Sequence, residues 1–102
     1  MPLTIAQSGE LRLVVLDHLV GRFPLSYEAD AIGRMLVRHQ VIDFTPSAQD
    51  MAAALLFLKE EQLVAEILDD LSAISTWQAT SKGVQRQHRR RVASNPEEGS
   101  HL

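Results

Sequence analysis

Hydrophobic residues between Thr45 and Val64 recur at helical spacing, which predicts one helix. The other segments are arranged around it. Thr45 is the predicted N-cap, and Pro46 suits the first helical position because its φ is already fixed near the helical value. An inward stripe at helical spacing is formed by Met51, Leu55 and Leu58, with Ala54 as a further member. The solvent-facing end is charged and consists of Lys59, Glu60 and Glu61.

Two shorter helices are predicted upstream. The first lies within residues 1–21 and is so densely apolar that its own fold or a partner chain must cover most of its sides. Ser8 is its predicted N-cap, with a start near Thr4 as the alternative, and Gly21 is its predicted end. Ser26 is predicted to open the second helix. That helix has apolar residues on one side, namely Ala31, Ile32, Met35 and Leu36.

The pattern changes after the third helix. Ala65–Leu68 and Ile74–Thr80 are short extended runs joined by a polar, acidic turn, which predicts a β-hairpin. A helix over residues 65–74 is the competing interpretation, because several of these residues are good helix formers. Residues 41–44, VIDF, are interpreted as a connector or a brief extended edge. Residues 93–102 have little to bury and are expected to be disordered.

This order of elements resembles the winged helix-turn-helix superfamily. LLFLKEEQLVAEIL at Leu55–Leu68 is similar to a recognition helix running into the first wing strand. WQATSKGVQ at Trp77–Gln85 is similar to a second wing strand ending in a Thr-x-Lys-Gly turn. The resemblance covers about residues 11–86, and the chain also resembles small proteins of this shape encoded by Mu-like prophages. It implies a mainly α fold of three helices plus a wing over residues 1–86, followed by a basic and then disordered tail over residues 87–102.

Composition and charge narrow the setting. The chain has 102 residues, 45% of them hydrophobic, which suits a single domain. It has no cysteine, no basic leader before an apolar run and no apolar stretch near the roughly 20 residues that span a membrane, so we expect a cytoplasmic protein. Residues 1–80 hold five basic against eleven acidic residues, whereas residues 81–102 hold five basic against two acidic. The basic C-terminal part could meet phosphate, and the acidic remainder would be repelled by it.

Candidate chemistry is sparse. No two histidines share metal-ligand spacing; they are His18, His39, His88 and His101. The adjacent pairs Glu60-Glu61 and Asp69-Asp70 do not face each other well enough to act as an acid/base pair. We therefore predict no enzyme activity, no catalytic residue, no metal and no cofactor.

The resemblance places the working residues of a DNA-binding member on the third helix and the wing. The helix positions are Ser47, Gln49, Asp50 and Ala53, and the wing-tip positions are Asp69, Asp70 and Ser72. Of these, only Gln49 is of a type that reads base edges, and the wing aspartates would repel phosphate. The basic run after the wing supplies the other expected contacts, with a solubilising tail as the alternative interpretation. The predicted DNA-binding residues are thus Ser47, Gln49, Lys82, Arg86, Arg89, Arg90 and Arg91.

Apolar residues off the inward stripe, together with the apolar first helix, indicate an interface. We expect a homodimer whose partner interface includes Leu13, Leu16, Ala53, Leu56 and Phe57. The sequence therefore favours a small DNA-binding regulator, of phage type, acting as a dimer on double-stranded DNA. The alternative is a winged-helix module that binds a protein partner and not DNA.

Overall fold

The computed structural model describes residues 2–93. In chain order its elements are α1 (Ile5–Gly21), α2 (Ala29–Arg38), α3 (Ala48–Glu60), β1 (Val64–Leu68), β2 (Ser75–Ala79) and α4 (Ser81–Ala93). A mainly helical fold with one antiparallel two-stranded hairpin is therefore confirmed. The disorder expected for residues 93–102 concerns a segment that, apart from Ala93, lies outside the described residues.

Reciprocal capping bonds decide where α1 begins. The Oγ1 atom of Thr4 accepts a hydrogen bond from the Gln7 N–H at 3.0 Å, and Gln7 Oε1 accepts one from the Thr4 N–H, also at 3.0 Å. The predicted cap at Ser8 is wrong and the alternative start near Thr4 is confirmed. A cap at Ser8 would have Leu11 in the third helical position, and leucine cannot return the bond.

The same rule places the start of α3 at Ser47, so the predicted cap at Thr45 is wrong. Ser47 Oγ accepts from the Asp50 N–H at 3.1 Å, and Asp50 Oδ2 accepts from the Ser47 N–H at 2.8 Å. Capping by Thr45 would put Ala48, which has no polar side chain, in the reciprocal position. At its other end α3 stops at Glu60, short of the predicted Val64. Gln62 takes a left-handed conformation with φ of 64°, which turns the chain into β1.

Ser26 is not a helix cap, because the chain after it is extended. Tyr27 forms a bridge to Trp77 of β2, with Tyr27 N–H donating to Trp77 C=O at 3.0 Å and Trp77 N–H to Tyr27 C=O at 2.7 Å. Ser26 Oγ instead accepts from Thr76 Oγ1 at 3.1 Å. As a result α2 starts at Ala29, behind Glu28.

The hairpin and its connector follow the sequence pattern. β1 pairs with β2 from Val64 opposite Ala79 to Leu68 opposite Ser75, so the hairpin is confirmed and the competing helix over residues 65–74 is wrong. Residues 41–44 form no strand and connect α2 to α3, which confirms the first of the two interpretations.

The core lies between the helices and the inner face of the hairpin. The four predicted inward residues of α3 are all buried, namely Met51, Ala54, Leu55 and Leu58. They pack with buried residues of α1, α2 and β2, among them Leu11, Val15, Leu19, Ile32, Leu36, Trp77 and Ala79. The dense apolar surface of α1 is thus largely covered within its own chain.

A fourth helix, α4, contains the basic run that the sequence suggested was a tail. Thr80 Oγ1 accepts from the Gly83 N–H at 3.1 Å near its start. Gln87 is only 1% exposed, and its Nε2 donates to Asp17 Oδ1 of α1. The boundary expected at residue 86 therefore falls inside a helix packed on α1.

Gly83 lets α4 cross the chain just before β1. A Cβ at this position would lie 2.3 Å from the Leu63 carbonyl oxygen and 3.4 Å from Leu16 Cδ1. The neighbour at 2.3 Å is backbone, so it cannot rotate away as a flexible side chain could.

We predict that Gly83→Ala lowers the free energy of unfolding by about 1–3 kcal/mol, the usual cost of forcing extra volume into a packed site. Gly9→Ala is the matched control, because nothing lies within 4 Å of a Cβ there and the position is inside α1. That control should gain about 0.5–1 kcal/mol from helix propensity. Urea titration of both variants measures the difference, and a Gly83→Ala protein as stable as wild type would contradict the close crossing.

Candidate nucleic-acid and protein interfaces

The exposed side of α4 carries a row of basic side chains. Lys82, Arg86 and Arg89 are spaced by four and then three residues, so they lie on one side of the helix, and Arg90, four residues after Arg86, flanks that side toward Gln87. All four are exposed, whereas Gly83 and Gln87, on another side of α4, are buried against the fold. We call Lys82, Arg86, Arg89 and Arg90 the basic stripe.

The basic stripe has no acidic partner within residues 2–93. The ion pairs of that region join Arg34 to Asp30, Lys59 to Glu66 and Arg91 to Asp17, and none includes a member of the stripe. Arg91 differs from its neighbours in sequence because its Nη2 lies 3.7 Å from Asp17 Oδ1 on α1. The structure thus brings four of the five predicted basic contacts together and turns Arg91 toward the helix that supports α4.

The outward face of α3 is poor in groups that could read a base. The Ser47 hydroxyl is engaged in the capping bonds at the start of the helix. Gln49 is exposed in the first turn and free to point outward. The rest of the exposed face consists of Ala52, Ala53, Leu56, Phe57 and Glu60, without a positive charge. Lys59, at the edge of this face, donates to Glu66 Oε1 at 3.0 Å.

A groove of about 320 Å³ lies between α1, α3 and the first turns of α4. Its walls include Leu13 and Phe57, with Arg12, Arg86 and Glu61 around them. The guanidinium carbon of Arg12 lies 4.1 Å from the centre of the Phe57 ring, a cation–π geometry that covers one side of this aromatic residue. We call this feature the α1–α3 groove; it combines an apolar centre with charges of both signs.

Leu16 does not belong to an exposed interface. Leu13, Ala53, Leu56 and Phe57 are exposed, as the predicted partner interface requires, but Leu16 is 1% exposed and part of the core. Moving a buried leucine into solvent costs about 1.5–3 kcal/mol, so Leu16 stays with its own chain. Its assignment to the interface was wrong because α1 packs with that side against α4.

The tip of the β-hairpin is acidic, as the sequence indicated. Asp69 Oδ1 accepts from the Leu71 N–H at 2.9 Å. This bond and hydrogen bonds from Ser72 lower the pKa of Asp69, so its carboxylate stays charged. A charged aspartate at the tip disfavours an approach of the hairpin to phosphate.

A larger cleft between α2 and the start of α3 was not foreseen from the sequence. It holds about 590 Å³ and has apolar walls that include Gly33, Val37 and Met51, with Arg34 and Arg38 among its lining residues. The signal in the sequence is Gly33, which leaves space beside the Met51 side chain. Arg34 is paired with Asp30, so this cleft offers less free positive charge than the basic stripe.

Within residues 2–93 no cluster of three histidine or carboxylate side chains could hold a metal ion. No helix of that region is both long and apolar enough to cross a membrane.

Comparisons with known proteins add no assignment. No protein-family model, no curated protein and no solved structure matches the chain.

His18 is a buried titratable group in α1. Its ring meets Tyr27 edge-on, with 5.9 Å between the ring centres. Burial lowers the pKa of His18 below 6.5, and the nearby Arg22 and His39 act in the same direction. The folded protein therefore favours the neutral imidazole.

We predict that stability falls as pH drops below about 6.5, because the unfolded chain binds a proton at His18 more readily than the folded chain does. His18→Phe keeps a ring against Tyr27 and cannot be protonated. Unfolding by urea at several pH values between 8 and 5 should show a smaller loss for this variant than for wild type. Comparison at pH 8 accounts for the packing difference, and identical losses in both proteins would contradict the role of His18.

Proposed function

We propose that this chain is a winged-helix protein of the regulator kind, acting in the cytoplasm, which binds duplex DNA mainly through its phosphates. The observation that carries the proposal is the basic stripe on the exposed side of α4, with no acidic partner among residues 2–93. Support for the winged-helix class comes from the order of three helices followed directly by a hairpin. The phage-type and regulatory assignments come from the sequence resemblance.

The size of the stripe suits a duplex. From Lys82 to Arg89 it spans seven residue steps, about 10 Å at 1.5 Å per residue. Duplex DNA carries one charge per roughly 1.7 Å of axis, so a segment of this length offers about six phosphates. The net negative charge of residues 1–80 favours an approach in which α4 faces the duplex.

Base readout is a minor part of the proposed contact. On α3 the exposed Gln49 is the described residue best suited to a base edge, and the remaining outward face is apolar or acidic. The acidic wing tip disfavours a wing contact with phosphate. We therefore expect affinity that depends strongly on salt and weakly on sequence.

A protein partner is the second candidate, favoured by the apolar outward face of α3 and the adjoining α1–α3 groove. Leu56 and Phe57 are exposed there although they are large and apolar. Such a surface loses little affinity when salt is added, in contrast to a phosphate contact. The two candidates therefore differ in how strongly their binding affinity depends on salt concentration.

We predict that the wild-type chain binds random-sequence duplex DNA at low salt and that Arg86→Ala/Arg89→Ala weakens this binding at least tenfold. Loss of two phosphate contacts should also reduce the slope of log affinity against log salt by about 1.8. The matched control is Arg34→Ala/Arg38→Ala, which removes the same charge from α2. Fluorescence anisotropy over a range of salt concentrations measures both affinity and slope.

Equal losses in the two double variants would contradict a contact centred on α4, because net charge alone would explain them. Absence of wild-type binding at low salt would remove the DNA proposal altogether. Leu56→Glu adds a test of α3. If the variant loses only as much DNA affinity as one added negative charge explains, α3 lies outside the DNA contact. A much larger loss would place α3 within it.

A further inference from the structure

One edge of the two-stranded sheet is open. β2 is flanked on its far side by Tyr27, whose bridge to Trp77 occupies the middle of that edge. β1 has β2 on one side, and within residues 2–93 no third strand lies on the other. An unpaired edge displays a row of free N–H and C=O groups that can pair with another strand.

The hydrogen-bond pattern shows which groups of β1 point outward. Trp77 directs its N–H and C=O to Tyr27, so it does not bond to Glu66, which lies opposite it in β1. Because bonded and non-bonded pairs alternate in an antiparallel ladder, Ile67 bonds inward to Thr76 while Glu66 and Leu68 direct their peptide groups outward. The Asp69 N–H donates to the Ile74 carbonyl at 3.0 Å. Asp69 is two residues after Ile67 and therefore also bonds inward, as the alternation requires.

The open edge lacks the usual protection. It has no proline and no lysine within β1, and its apolar residues are exposed: Ile67 by 43% and Leu68 by 60%. The one charged residue of the strand, Glu66, is held by other groups. Its carboxylate accepts from Ser75 Oγ at 2.6 Å and from Lys59 Nζ at 3.0 Å, both of which belong to its own chain.

We propose that the open edge of β1 is a homodimer contact, in which β1 of a second copy adds antiparallel to form a four-stranded sheet. The two-fold axis passes beside Ile67, so that Ile67 of the two copies face each other across the axis. Glu66 of each copy then pairs with Leu68 of the other through four backbone hydrogen bonds in total. This contact does not depend on DNA binding.

Charge favours this register over the one centred on Glu66. Centring the axis on Glu66 would bring two glutamates directly opposite, which destabilises a sheet. Centring it on Ile67 pairs apolar with apolar and sets Glu66 against Leu68. Asp69 then lies opposite Ala65, so the acidic tips of the two wings point away from each other. The second copy thus satisfies the outward peptide groups and covers exposed apolar side chains without opposing like charges.

The proposed contact differs from the interface expected on the helices. That interface used the exposed residues of α1 and α3, whereas the strand edge uses no residue of either helix. The proposed strand pairing also uses no residue of the basic stripe, which lies on α4. The two dimer contacts can therefore be separated by single substitutions.

A cysteine at position 67 provides the most direct test, because the natural chain has no cysteine. Residues opposite each other in a non-bonded antiparallel pair have Cα atoms about 4.5 Å apart, within the range that a disulfide bridges. Ile67→Cys should therefore form a covalent dimer under mild oxidation. The matched control is Ala65→Cys on the same face, where the two cysteines would be about 13 Å apart and should not link.

A second variant tests the open edge without removing a backbone hydrogen bond of the monomer. Leu68→Pro removes an N–H that points outward, so the ladder between β1 and β2 keeps its bonds, while the second copy loses a donor and meets the proline ring. Sedimentation equilibrium of the wild-type chain should show a dimer, and this variant should raise the dimer dissociation constant at least tenfold. Circular dichroism of the variant verifies that the monomer is folded.

Several results would overturn the proposal. A wild-type chain that stays monomeric at all concentrations excludes it. Equal cross-linking of Ile67→Cys and Ala65→Cys excludes the register. A dimer that survives Leu68→Pro but dissociates with Leu56→Glu would assign the contact to α3 instead.

Discussion

The two backbone hydrogen bonds between Tyr27 and Trp77 fix the relation between the hairpin and the helices. They hold the segment before α2 in an extended conformation, which delays the start of that helix to Ala29. They also direct the indole of Trp77 into the core, where it is 7% exposed. The same bonds occupy the middle of the outer edge of β2, whereas within residues 2–93 the outer edge of β1 has no such bridge. The orientation of the hairpin relative to the helices follows from this one contact.

The position of α4 depends on a different pair of constraints. Gly83 permits the close crossing over Leu63, and Gln87 is buried against α1, where it bonds to Asp17. These two residues fix which side of α4 faces the core. Lys82, Arg86 and Arg89 are consequently presented to solvent in a row, although the sequence around them has almost no apolar stripe. A run of basic residues that could have been a solvated tail thus becomes a rigid, oriented surface.

Much of the fold could be predicted from local patterns, and each exception has a physical reason. The inward stripe of α3 and the hairpin were both identified, because helical spacing and β-branched residues are local signals. Ser8 and Thr45 were poor guides to helix starts because Thr4 and Ser47 have a reciprocal polar residue three positions later, whereas Ser26 failed because the next residue, Tyr27, is paired with β2. α4 was missed because it is anchored by a glycine crossing and one buried amide, not by an apolar face. Leu16 was misassigned because burial against α4 cannot be seen without knowing that α4 exists.

In the function we propose, the chain meets duplex DNA with the exposed side of α4. The most direct measurement is a two-dimensional amide NMR titration of the isotope-labelled protein with a short random-sequence duplex. We expect the largest shift changes on residues 82–90, with little change at Ala53, Leu56 and Phe57. Shift changes centred on the outward face of α3, or none at low salt, would contradict this proposal.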